Sequence, residues 1–66
     1  DAAWLKLMQD IALDPDANWL GRSAAIDVIE KIGTKADLQK LQTAVKGLSN
    51  DSKQELLLNS LEKKLQ

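Results

Sequence analysis

The side chains able to do chemistry in this chain are hydroxyls, carboxylates, lysines and a single arginine. Cysteine and histidine are both absent. That removes thiolate nucleophiles, imidazole bases and the usual nitrogen and sulfur ligands for zinc. Ser23, Ser49, Ser52 and Ser60 have no base near them in sequence. The densest acidic cluster is Asp14-Pro15-Asp16-Ala17-Asn18, which begins like the D-x-D-x-N of a calcium loop. It does not continue as one. Trp19 stands where the loop needs glycine at its sixth position, and Ala25 where it needs a bidentate glutamate at its twelfth. Two carboxylates in an exposed turn also lack the apolar surroundings that raise a pKa for acid–base work. The expectation is a non-catalytic chain with no metal and no cofactor.

Length sets the next bound. Sixty-six residues make one domain at most, and a domain of this size buries only about 60% of its unfolded surface. With no disulfide or metal to staple it, stability must come from helix packing or from a neighbour. Nine basic and ten acidic residues are mixed along the chain and leave a net charge of −1. That distribution argues against a nucleic-acid partner, which needs a basic stripe. No apolar run approaches a membrane span, and no basic stretch opens a signal peptide. The chain begins at Asp1 rather than Met, as expected of a fragment or a processed product. Nothing in the composition assigns a cellular compartment.

Hydrophobic periodicity predicts four helices near 2–13, 19–32, 35–46 and 52–65, antiparallel to their neighbours because the loops are short. The first has Asp1 near its start and a wide apolar stripe of Trp4, Leu5, Met8, Ile11 and Ala12, extended by Leu7 and Leu13. The second is the organising helix. Ala25, Val28, Ile29 and Ile32 recur at three- and four-residue steps, with Ala24 beside them. Asp27 and Lys31 stand in the favourable i,i+4 order on its polar side. Gly33 is expected to close it in the left-handed conformation. Trp19 is expected to plug the gap between consecutive helices. Thr34 is the expected N-cap of the third helix, with Asp37 in its first turn. Leu38, Leu41, Ala44, Val45 and Leu48 follow, and Gly47 ends the helix. Ser52 to Glu55 fits a capping box for the fourth, whose Leu57, Leu58, Leu61 and Leu65 point inward. Lysines 63 and 64 at its end suit a true C-terminus of the folded unit. The expected core is Leu5, Met8, Ile11, Ala12, Ala25, Val28, Ile29, Ile32, Leu38, Leu41, Val45, Leu57, Leu58, Leu61 and Leu65.

A shift of 33 residues overlays Leu5 on Leu38, Met8 on Leu41, Ala12 on Val45, Val28 on Leu61 and Ile32 on Leu65. Two helical hairpins in tandem, about 2–33 and 34–66, are the simplest source of such a period. Asp16 and Arg22, six residues apart in the first turn and followed by S-A-A-I-D-V-I-E-K-I-G, resemble the turn and B helix of a HEAT repeat. The second unit departs from that pattern, with Ser49 in place of the Asp and Glu55 in place of the Arg, and Gly21 stands where the valine before the Arg is usual. The resemblance implies an all-α chain of two HEAT-like hairpins, a short right-handed α-solenoid, that serves as a protein–protein interaction or scaffold module. It further implies that Asp16 and Arg22 join successive repeats across the turns. Asp16 and Arg22 are then expected to contact each other or the backbone at the turns, and as a partly exposed pair to contribute modestly to stability. D-x-x-W-x-x-R-x-A-A is also similar to the C-terminal helical region of gluzincin aminopeptidases, which would make the chain a non-catalytic segment of a larger enzyme; no H-E-x-x-H is present. A free-standing bundle with a ligand in its core is the third possibility.

One imbalance bears on function. A terminal repeat needs a polar outer face. The fourth helix supplies one with Lys53, Gln54, Asn59, Glu62, Lys63 and Lys64, all expected to face water. The first helix does not, because Trp4, Leu7 and Leu13 are left over once its core residues are buried. These three are the expected interaction surface, toward a preceding repeat, a partner protein or a second copy of the chain.

Overall fold

A computed structural model describes residues 2–66; Asp1, expected just before the first helix, lies outside them. Among the described residues there are four α-helices and no strand: α1, Ala2–Ala12; α2, Trp19–Ile32; α3, Lys35–Lys46; and α4, Gln54–Leu65. These lie within two residues of the periodicity-based bounds. α1 packs on α2, α3 packs on α4, and α2 also touches both α3 and α4. The core is Ala12 from α1; Ala25, Ile26 and Ile29 from α2; Leu38, Leu41 and Val45 from α3; and Leu57 and Leu61 from α4. Leu5, Met8, Ile11, Leu13, Trp19, Leu48, Leu58 and Leu65 are half-buried against it.

The helix starts follow from local hydrogen bonding. Asn18 caps α2, its side chain accepting from the Gly21 N–H at 2.8 Å. Thr34 and Asp37 form a reciprocal capping box at α3, as expected. The box expected at Ser52 does not form. Lys53 precedes α4 with no side-chain cap. Asp51 holds this turn instead, its Oδ1 accepting from the Lys53 N–H at 2.9 Å. Gln54 then reaches back, and its Nε2 donates to the carbonyls of Val45 and Lys46 at 3.0 Å each. The Lys46 carbonyl, an orphan acceptor at the end of α3, is thereby satisfied by the first residue of α4, which also adds a bond to the Val45 carbonyl already held by the Leu48 N–H.

Gly33 ends α2 for a different reason from the one expected. Its φ of −102° and ψ of −169° are extended, not left-handed. Space is what requires glycine here. A Cβ would lie 2.8 Å from both the Ile29 carbonyl oxygen and Asp37 Oδ2, and 3.2 Å from Leu5 Cδ1. The close passage of Leu5 brings the start of α1 against the end of α2.

The buried face of α2 also differs from the expected one. Ile26 and Arg22 are fully buried, whereas Ile32 is 46% exposed and Ala24 lies at the surface. At 100° per residue, the core-facing arc centres roughly 60° away from the Ala25–Val28–Ile29–Ile32 stripe. Ala44 of α3 is likewise exposed. Asp27 does not take Lys31 as its partner. Lys64 of α4 binds it at 2.6 Å and also reaches Glu30 at 3.3 Å. Lys64 therefore folds onto α2 instead of facing water, and Gln54 is half-buried for the reason given above.

Candidate functional site

Among the described residues, Arg22 in the first turn of α2 is the one charged residue that is fully buried. It sits there because the α2 register that buries Ala25, Ile26 and Ile29 also aims position 22 inward. A buried guanidinium must find acceptors. Its Nε–H donates to the Ala12 carbonyl at the end of α1, at 3.0 Å. Its two terminal nitrogens make a parallel fork onto both carboxylate oxygens of Asp51, with Nη1 to Oδ1 at 3.0 Å. This is the bidentate geometry in which arginine–carboxylate pairs are strongest. Asp51 is itself only 4% exposed. The hydrogen bond from Arg22 holds its carboxyl below the ordinary aspartate value, helped by the Lys53 N–H and opposed by burial. No buried side-chain nitrogen or oxygen among the described residues lacks a hydrogen-bond partner.

Of the two contacts expected for Asp16 and Arg22, with each other or with the backbone at the turns, the first does not form. Arg22 does bond the backbone across the first turn, but its carboxylate partner comes from the second. Asp16 lies at the surface, and its N–H donates to Asp14 Oδ1 at 2.9 Å, which tightens the turn. Asp51 was missed because a 33-residue shift puts Ser49 opposite Asp16. That period holds for α1 and α3, which begin at 2 and 35. α2 and α4 begin at 19 and 54, so the second turn is two residues out of step. Shifting by 35 instead sets Asp16 on Asp51, and the buried Arg22 and Ile26 on the buried Leu57 and Leu61. That register was present in the sequence, in the Leu57–Leu61 spacing.

The second candidate set divides. Trp4 is 58% exposed and Leu7 is 48% exposed, so both lie at the surface as expected. Leu13 does not; it is half-buried against the core and, with Gln9, borders a shallow concavity shared with Lys40, Leu41 and Ala44 of α3. Its flank of α1 faces α3. A further concavity of about 380 Å³ lies between Trp19 and the Leu56, Asn59, Ser60, Lys63 and Lys64 side of α4. Trp19 is half-buried there, filling the junction between α2 and α4. Among the described residues no three carboxylates gather as a metal site, and no helix is long and apolar enough to cross a membrane. Compared with family models, with curated proteins and with solved structures, the chain finds no match.

Proposed function

We propose that this chain is a non-catalytic protein–protein interaction module of two HEAT-like hairpins, α1–α2 and α3–α4, each with its helices antiparallel, stacked as a short α-solenoid. The observation that carries this reading is the Arg22–Asp51 fork. It ties the opening of the second helix in one hairpin to the inter-helix turn of the next, the place where the resemblance expects successive repeats to be joined. The element offsets agree with it, since each helix of the second unit follows its counterpart by 33 or 35 residues. The contact of Leu5 with the Gly33 site, and the bond from Arg22 to Ala12, set opposite ends of α1 and α2 side by side.

The role follows from the surfaces. The buried polar centre is saturated by its own bonds and offers no group to a substrate. The exposed large apolar side chains include Trp4 and Leu7 on α1, and a cluster of that kind marks a contact site when it is contiguous. The partner is a protein. The test is site-specific photo-crosslinking in cells that express the chain, with a photoreactive side chain at Leu7 or, as the control, at Glu62. Protein crosslinks from position 7 and not from 62 are expected. Crosslinks from neither position, or equally from both, would remove the case for a dedicated surface on α1.

A further inference from the structure

The apolar surface on α1 continues onto α2, and its edges can be drawn from the contacts. Gln9 and Leu13 are on the flank of α1 that meets α3. At 100° per residue, Trp4, Leu7 and Ile11 fall on the opposite flank. Asp27 and Glu30 mark the flank of α2 that meets α4 through Lys64. Val28 and Ile32 fall on its opposite flank by the same arithmetic. These five side chains make one outward face of the first hairpin. Three of them, Trp4, Leu7 and Ile32, are about half exposed, and Ile11 and Val28 are more deeply buried. The outward face of the second hairpin, built the same way, carries Gln39, Gln42 and Lys46 on α3 and Glu55, Leu58, Glu62 and Leu65 on α4; Leu58 and Leu65 are half-buried, and all its exposed members are polar.

We infer that the outward face of α1 and α2 binds a second copy of this chain about a two-fold axis. The inference rests on the proposed interaction role and names its partner. The polar far face is what selects the symmetry. Head-to-tail stacking would set Trp4 and Ile32 against Gln39 and Glu62, whereas a two-fold contact sets the apolar face against itself and closes at two copies. Charge agrees. Asp14 and Asp16 stand at the turn end of this face, and Lys31 borders its other end in the last turn of α2. Lys31 has no carboxylate partner among the described residues. A two-fold axis running across the helices brings the acidic end of one copy to the basic end of the other, and charge selects that orientation over an axis along them. The face is small beside the ~800 Å² per partner of a standard interface, so the dimer is a weak one.

Sedimentation equilibrium of the purified 66-residue chain tests this. The mass should rise from 7.3 kDa toward twice that value between about 10 µM and 1 mM. Trp4→Lys with Leu7→Lys should stay at 7.3 kDa throughout, with the helical circular dichroism of wild type. Leu56→Lys, on an exposed α4 position away from the face, should dimerise as wild type does. Lys31→Glu should weaken the dimer at least several-fold, and adding Asp16→Lys should restore it. A wild type monomeric at 1 mM overturns the inference. If crosslinks from position 7 to another protein persist in that case, the interaction role stands and only the choice of partner fails; if they are absent too, both fail. Dimerisation abolished by Leu56→Lys instead would move the interface to α4 and also overturn it.

Discussion

The burial of Arg22 changes what its replacement should do. As a partly exposed turn pair it would contribute modestly. As a fully buried fork with Asp51 it belongs to the class in which losing one partner costs about 3–5 kcal/mol, because the other charge is left in the core unpaired. Arg22→Met strands the Asp51 carboxylate, which keeps only the Lys53 N–H, and leaves the Ala12 carbonyl without its donor. Asp51→Asn strands the guanidinium and turns an amide NH2 toward one of its nitrogens. A chain of this length has a total stability of about 3–10 kcal/mol, so either variant should lose roughly a third or more of it and melt at a far lower urea concentration. The double variant, Arg22→Met with Asp51→Leu, removes both charges and leaves apolar groups of similar size. Replacing both members of a buried pair is often neutral or stabilising, so the double variant should be more stable than either single one. Urea unfolding followed by circular dichroism at 222 nm measures all of them, and a higher midpoint regained in the double variant is the expected signature. Singles that melt within about 1 kcal/mol of wild type, or costs that simply add, would mean that the fork is not a buried, coupled unit.

The remaining predictions use the same urea assay. Ile29→Ala, at a fully buried site, should cost about 2–5 kcal/mol; a midpoint equal to wild type would place Ile29 outside the core. Gly33→Ala should destabilise by about 1–3 kcal/mol, since its Cβ overlaps the Ile29 carbonyl and Asp37. Gly21→Ala, whose Cβ meets nothing closer than Asn18 Oδ1 at 3.4 Å, should instead stabilise α2 by about 0.5–1 kcal/mol; the reverse order of the two would contradict the described packing at the ends of α2. Acid should weaken the fold through Asp51. Its folded pKa lies below the ordinary 3.8, so the unfolded chain binds the proton first. The stability from this group is complete above 3.8 and is lost as the pH falls through the lowered folded value. A urea midpoint for Arg22→Met with Asp51→Leu that falls as steeply as wild type between pH 5 and about 2 would assign the acid sensitivity to another group.

Much of the fold was legible because helix existence depends on signals that a single chain carries in order. Pro15, the glycines 33 and 47, and the Thr34–Asp37 box punctuate runs of 3.6-residue periodicity, and the helices begin and end beside them. The failures share one physical cause: each concerns which of two partners, both plausible locally, tertiary packing selects. Asp27 has Lys31 one turn away but binds Lys64 from α4. Ser52 can cap α4, but Asp51 holds the turn while its carboxylate also serves Arg22. Gln54 looks like solvent-facing polarity until α3 ends beside it with the carbonyls of Val45 and Lys46 within reach. Periodicity has no access to such choices, because it weighs each helix alone.

The shape of the error on α2 says the most about function. Treating Ala25, Val28, Ile29 and Ile32 as one stripe, and setting Arg22 aside because it is charged, merges two faces that the structure keeps apart. One face holds Arg22, Ala25, Ile26 and Ile29 and is spent on the core. The other holds Val28 and Ile32 and is not. A helix with one neighbour layer needs an apolar arc of a little over 100°, whereas α2 carries apolar side chains from Val28 round to Ile26, roughly 160° at 100° per residue. α1 has the same excess in Trp4, Leu7 and Ile11. With Val28 and Ile32, these five lie on the flank away from α3 and α4, whereas Leu20, 77% exposed, stands apart from them on the outer side of α2. Independent surface drift would scatter surplus apolar residues around each helix. The alignment of Trp4, Leu7, Ile11, Val28 and Ile32 along one side of α1 and α2 is the feature on which the proposed contact surface rests.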